Sequence, residues 1–448
     1  MKHLLLLLAL AAGLASNAQE QTAAKAYSLS LQQAIDHALQ NNYSAVNASR
    51  DIEKAEQRKW ETTASGLPQI NAGVDYVDNF RLQQSLVPAE FFGGAPGEFI
   101  PVVFGTKHSV NARATLSQLL FDGSYIVALQ ASKTYLEYYR NQKLKSNNEI
   151  REAVVNAYGN VLLAEESIAI LERNKAVLDK TLFDTNETFK NGLIEEENVE
   201  QLQITQASVN SNLNNARRLR NISYDFLKVA LGIDLKDSLV LTDKLADLTA
   251  KNMDLAIASD TFDVRNNIDF KLGQNFVSQR TLEWKLERSK ALPTLAANLN
   301  VGYNAFSNDF TFLEKEQDWF HYSSLGVSLN VPIFSSFGRR ARTQQAKISL
   351  EQAKTQLTEV EQRLKLQYQN ARSNYEFSVE EFATAKSNLD LAERIERKQQ
   401  VKFTEGLSSS FDFAEAQRQL YAAQQSYLQS MIDVVNSRAA LEKIINAN

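Results

Sequence analysis

From Leu292 to Asn304 the residues alternate without a miss, with Leu295, Ala297, Leu299, Val301 and Tyr303 set against Ala296, Asn298, Asn300, Gly302 and Asn304. Strict period two makes a strand with one apolar and one small, polar face. Three other stretches repeat it: Ile70, Ala72, Val74 and Tyr76; Val110, Ala112, Ala114 and Leu116; Leu325, Val327, Leu329 and Val331. Embedded in long helical sequence, such strands leave two folds open. One is a small soluble sheet packed on a helix, the other a set of pieces of a membrane barrel.

The rest of the chain favours helix. Gly (16) and Pro (6) are scarce in 448 residues, and Ala, Gln, Glu, Lys, Leu and Asn dominate. A net charge of -5 offers no basic stripe for a phosphate backbone, so nucleic acid is not an expected partner. Lys2 and His3, the apolar run Leu4 to Leu14 and then Ser16-Asn17-Ala18 read as a secretory signal over residues 1–18. No later run of about 18 consecutive apolar residues exists, so a membrane role requires strands. Without cysteine there is no disulfide, thiolate nucleophile or lipid-bearing first cysteine.

Read in order, Ser28 or Ser30 caps a helix through Leu31, Ala34, Ile35, Ala38, Ala45 and Ile52 towards Trp60, ending at Gly66-Leu67-Pro68. Strands are expected at about 67–80 and 108–121, separated by a long segment from Arg81 to Lys107 of a kind uncommon inside compact domains. Helices follow at about 125–183, roughly 80 to 90 Å long at the usual rise per residue, and at 195–231. Residues 233–264 form a linker with a short strand at 238–241 and a short helix near 245–256. Strands at about 292–306 and 322–334 and helices at about 338–402 and 408–446 complete the chain.

The order occurs twice. Asn41-Asn42 matches Asn266-Asn267, Leu67-Pro68 matches Leu292-Pro293, Leu120-Phe121 matches Ile333-Phe334, and Phe189-x-x-Gly192-Leu193 matches Phe403-x-x-Gly406-Leu407. Residues 19–232 and 265–448 thus read as two copies of a helix-strand-strand-helix-helix unit. In the last helix Phe413, Ala416, Leu420, Ala423, Tyr427, Val434 and Leu441 keep heptad positions, a coiled-coil seam.

Three features favour the barrel: polar faces of Asn, Ser, Thr and Gly with few charges, strand lengths near those of transmembrane strands, and aromatics at the outer ends. Phe80, Phe104, Phe310, Phe312, Trp319, Phe320 and Tyr322 are expected to form an interfacial girdle. Four strands cannot close alone and lipid tolerates no open edge, so several chains must share one barrel. The expected lipid-facing residues are Ile70, Val74, Tyr76, Val110, Leu116, Leu295, Leu299, Val301, Leu325, Val327 and Leu329.

The opening Leu29-Ser30-Leu31-x-x-Ala34-x-x-x-Ala38, the duplicated Leu-Pro strand starts and the duplicated Phe-x-x-Gly hairpins resemble the TolC-like outer membrane efflux proteins, across essentially the whole mature chain. The resemblance implies a mainly α fold with a small β part: long periplasmic coiled-coil helices and four strands per chain in a shared trimeric transmembrane β-barrel of the outer membrane. It further implies a homotrimer that docks to a periplasmic adaptor (a membrane fusion protein) and an inner-membrane pump of RND, ABC or MFS type, with outer-membrane lipid around it. The equatorial part is expected mainly from 232–264. Asn191-Gly192-Leu193 and Glu405-Gly406-Leu407 would be the adaptor-contacting tips. Asp412 and Glu415 match the acidic pair that follows the Phe/Tyr-x-x-Gly motif in the family and rings its closed pore; Asn198 and Gln201 take those places in the first half.

Catalysis finds no support. His3, His37, His108 and His321 lack ligand spacing, no glycine-rich loop follows a strand, and no metal or cofactor is expected. A passive exit duct for efflux or type I secretion is the leading reading. A periplasmic coiled-coil scaffold or adaptor without a pore is the alternative.

Overall fold

The computed structural model describes residues 25–259 and 262–445; the expected signal at 1–18 lies outside them. In chain order the elements are β1 Ala26–Leu29, α1 Leu31–Asn41, α2 Tyr43–Ala64, β2 Gln69–Asp78, β3 Gln84–Pro88, β4 Phe99–Val103, β5 His108–Asp122, α3 Gly123–Lys190 and α4 Glu196–Leu231. Then follow β6 Ser238–Leu241, α5 Leu245–Lys251, α6 Ala256–Ser259, α7 Ile268–Ser289, β7 Thr294–Ser307, β8 Phe320–Asn330, α8 Gly338–Thr404 and α9 Ser410–Ile445. The fold is mainly α with a small β part. It divides into two compact units, and each draws segments from both halves of the chain.

The helical unit takes the chain up to Arg50, Asn141–Lys271 and the chain from Glu359. Its first helix, α1, starts with a capping box: Ser30 Oγ accepts from the Gln33 backbone N–H, and the Gln33 side chain accepts from Ser30 N–H. Where the sequence suggests one helix to Trp60, the chain breaks at Asn42, whose ψ of 138° is extended. The Asn42 side chain accepts from Ser44 N–H at 2.8 Å and donates to Ala230 O at 2.7 Å, so its polar groups are satisfied in the break. The core joins Ala34, Val154, Tyr158, Val161, Leu227, Leu231, Ile432 and Leu441. Burying each large apolar side chain contributes about 1.5–3 kcal/mol. Gly159 lets the core close, because a Cβ there would collide with the Ile432 side chain.

Part of α3 is apolar enough, by composition, to cross a membrane. Val154, Tyr158, Val161 and Leu162 of that helix are buried in the helical core, which accounts for its apolar character. The Tyr158 hydroxyl bonds Leu29 O at 3.1 Å and the Asp243 carboxylate at 3.0 Å, and Asp243 also accepts from Leu31 N–H at 2.7 Å. Burial pushes that phenol well above its ordinary pKa, so it stays a donor at any physiological pH. Around it β1 pairs in parallel with β6, Ala26 opposite Ser238. The sequence reading has no strand at 26–29.

The strand-bearing unit takes Asp51–Arg140 and Leu272–Thr358. Its main sheet has the order β2-β5-β7-β8, antiparallel throughout, and neither β2 nor β8 has an outer partner among the described residues. Register places Ile70 opposite Leu116, Leu116 opposite Leu299 and Leu299 opposite Leu325. Residues directly opposite share a face, so all eleven residues expected to meet lipid lie on one side of the sheet. Across the other side run Asn71, Thr115, Asn300 and Ser324, with Thr115 donating to Asn300 Oδ1 at 2.7 Å.

Several particulars depart from the sequence reading. Val110 sits on the apolar face but is only 7% exposed, because Phe312 folds over it and Ala305. Phe312 is therefore a lid on that corner and not a girdle residue. Tyr322 belongs to the polar face, where its hydroxyl bonds Asn111 Oδ1 at 3.2 Å, and Phe320, two residues before it, shares that face. The segment Arg81 to Lys107 contains a hairpin, β3 with β4, joined by a 3-10 turn Ala89–Phe92. Strand β8 ends at Asn330, not near 334; Pro332 lacks the N–H a ladder needs.

Candidate functional site

Two helix-to-helix turns in the helical unit are built alike. At the end of α3, Gly192 has φ of 75°, its N–H bonds Phe189 O at 2.8 Å, and Leu193 N–H reaches Thr188 O at 3.2 Å. At the end of α8, Gly406 has φ of 71°, its N–H bonds Phe403 O at 3.1 Å, and Leu407 N–H reaches Lys402 O at 2.8 Å. Both are Schellman caps, with glycine in the left-handed position that an L side chain resists. Leu193 and Leu407 are 74% and 78% exposed. Asn191 caps its own turn, its side-chain amide donating to Glu187 O at 2.9 Å, and Glu405 N–H bonds Val401 O at 3.0 Å.

Next to these turns α3, α4, α8 and α9 share a small core of Leu178, Leu202, Val209 and Phe413, with Phe403 stacked on Phe413 at 5.4 Å. The seam at Phe413, Ala416 and Leu420 is buried, which turns Asp412 and Glu415 outwards.

Each acid is already engaged. Asp412 is the third residue after Ser409 and forms a capping box with it: Ser409 N–H and Oγ–H donate to the carboxylate at 3.3 and 2.8 Å, and Asp412 N–H donates to Ser409 Oγ at 3.1 Å. These bonds, the Ser409 hydroxyl's foremost, hold its carboxyl below the usual range. Glu415 accepts from Gln419 at 2.9 Å and from Arg418 at 2.6 and 2.8 Å, and those bonds lower its pKa too. No hydrogen bond or ion pair joins the two acids to each other among the described residues.

The first-half counterparts lie alongside. Asn198 Oδ1 accepts from Ser410 N–H at 3.4 Å, and Gln201 lines, with Glu415, Arg418 and Tyr421, a cleft of about 280 Å³. Sequence reasoning passed over Arg418 and Glu396. The first was legible as an i,i+3 partner of Glu415. Glu396 on α8 was not legible, because its pKa is raised by burial, and burial there is set by neighbouring helices. Among the described residues no group of three acidic or histidine side chains could hold a metal ion.

Residues 266–447 match the family described as outer membrane efflux protein. No curated protein sequence matches the chain. Among solved structures, the CmeC outer membrane channel of Campylobacter jejuni superposes with a TM-score of 0.71 at 18% identity, over 93% of this chain and 85% of that one. The open-state MtrE outer membrane channel of Neisseria gonorrhoeae gives 0.71 at 16% identity, over 96% and 94%. The outer membrane protein VceC of Vibrio cholerae gives 0.70 at 14% identity, over 93% and 96%. The second part of the chain, residues 266–447, thus matches the outer membrane efflux protein family, and along its described length the chain has the fold of these outer membrane channels.

Proposed function

We propose that three copies of the chain close a twelve-stranded barrel and serve as the passive exit duct of an efflux or type I secretion assembly. The observation that carries this is the main sheet: four antiparallel strands with a continuous apolar face, a small polar face and two unpaired edges. In lipid the edge groups of β2 and β8 must find partners, and copies of the same chain supply them in the right length and polarity. Ile70, Val74, Tyr76, Leu116, Leu295, Leu299, Val301, Leu325, Val327 and Leu329 then face lipid, and Val110 stays covered by Phe312. The polar face lines the lumen.

The duct performs no chemistry of its own; energy and much of the cargo choice come from an inner-membrane pump joined through a periplasmic adaptor. The exposed Leu193 and Leu407 at twin rigid turns suit docking to that adaptor. Asp412 and Glu415 suit a gate at the periplasmic entrance. Mass measurement of the detergent-extracted protein tests the reading. Three chains per particle are expected, and a stable monomer, or recovery from the soluble periplasm without detergent, would return the chain to the scaffold alternative.

A further inference from the structure

The apolar stripe of β8 continues past the last paired residue. Val331 is exposed, and in the turn that follows Ile333, Phe334 and Phe337 are 89%, 74% and 69% exposed, the two rings edge to face at 5.9 Å. The backbone here is strained. Ser336 and Phe337 have φ of 49° and 63°, two consecutive non-glycine residues in the left-handed region. Arg339 holds the turn in place, its guanidinium donating to the carbonyls of Pro332 at 2.7 Å and Ile333 at 3.2 Å. Strain kept in order to present large apolar side chains outwards marks a segment with a task.

Charge accompanies the apolar residues. Arg340 and Arg342 follow directly, and Lys290 lies beside them through Glu287, which it meets at 2.5 Å while Arg342 stands 3.6 Å from the same carboxylate. One acid therefore faces two cations, and Arg340 forms no ion pair among the described residues. We infer that this turn is a membrane-interface anchor: Ile333, Phe334 and Phe337 enter the periplasmic leaflet, and Arg340 and Arg342 bind the phosphate of an anionic phospholipid. The inference rests on the barrel reading. Two observations favour lipid over a second copy as the occupant. The stripe is continuous with the proposed lipid face of β8, and the β2 edge that a neighbouring copy would bring has no carboxylate from Gln69 to Val74 to meet the arginines.

The absence of cysteine makes a direct test clean. Phe334→Cys and, as a control on β8, Val327→Cys are labelled with bimane and the full-length protein is reconstituted in vesicles of phosphatidylcholine and phosphatidylglycerol, with bromines on one lipid or the other. Both positions should be quenched, and position 334 alone should prefer phosphatidylglycerol, by about fivefold, falling towards none when Arg340→Gln and Arg342→Gln are added. Quenching at 327 but not at 334 would mean that a second copy or water covers the turn and would overturn the inference. Quenching at 334 without lipid preference would remove the phosphate site. No quenching at 327 would instead overturn the barrel reading itself. Phe337→Gly supplies an independent check: it relieves the strained φ, so a merely structural turn would keep its lipid signal, whereas an anchor should lose part of it.

Discussion

Asp412 and Glu415 satisfy their charges within one chain, and that changes what a ring of them could do. Because Asp412 caps α9, its folded pKa lies below the unfolded one; the stability it adds is present above the unfolded value and is lost only as pH falls through the depressed one. Arg418 offsets Glu415, so a pore lined by these helices has a weaker cation preference than bare carboxylates would give. Asp412→Asn with Glu415→Gln is expected to weaken cation preference and multivalent-cation block in planar bilayers, and Arg418→Gln to strengthen both, with trimers intact throughout. Recordings indistinguishable from the parent in all variants would show that the constriction lies elsewhere. Glu396 behaves in the opposite way to Asp412. Burial raises its pKa, so the stability it contributes is full below the unfolded pKa and is lost as pH rises through the folded one. Glu396→Gln should therefore raise thermal stability at neutral pH and flatten its pH dependence just above the ordinary carboxylate range; superimposable melting curves across pH would rule this out.

At the scale of elements, the two helix hairpins separate a folding role from a binding role. Nothing lies within 4 Å of a Cβ placed on Gly192 or Gly406, so only the positive φ opposes substitution. Gly406→Ala should cost about 1–2 kcal/mol, read from denaturant unfolding in detergent. Leu193 and Leu407 occupy the position whose side chain normally packs back on a Schellman-capped helix, yet both remain exposed. Leu193→Arg and Leu407→Arg are thus expected to leave trimer yield unchanged and to lower efflux in cells carrying the whole assembly. Normal efflux in both variants would remove adaptor docking from the tips.

At the scale of the whole molecule, the main sheet of one chain has four strands and two open edges, a third of the proposed twelve-stranded barrel. Strands β2 and β8 lie at opposite edges, with β5 and β7 between them, so they stand about 14 Å apart at the usual strand spacing. A disulfide spans no more than about 7 Å between Cα atoms, so it cannot join them within one chain. Gly73→Cys combined in turn with cysteine at Ser324, Gly326 or Ser328 should give linked species up to three chains in at least one pairing. Monomer bands alone in all three would show that these edges do not meet.

What could be read directly from the residues was whatever is local. Period two set the faces of β2, β5, β7 and β8, because neighbours in a strand point to opposite sides whatever the rest of the chain does. Glycine after Phe-x-x marked both hairpin turns, since a left-handed cap selects glycine on backbone sterics alone. Pairings and cover were decided elsewhere in the chain. Four residues, Ala26–Leu29, become a strand only because Ser238–Leu241 lies beside them. Asn42 breaks a helix because Ala230 O is there to receive its amide. Val110 leaves the exposed face because Phe312, distant in sequence, folds over it. The pairing of Glu415 with Arg418 was visible as spacing, but the partial burial of Glu396 was not, because desolvation depends on which helices pack around a carboxyl and no residue's neighbours in sequence specify that.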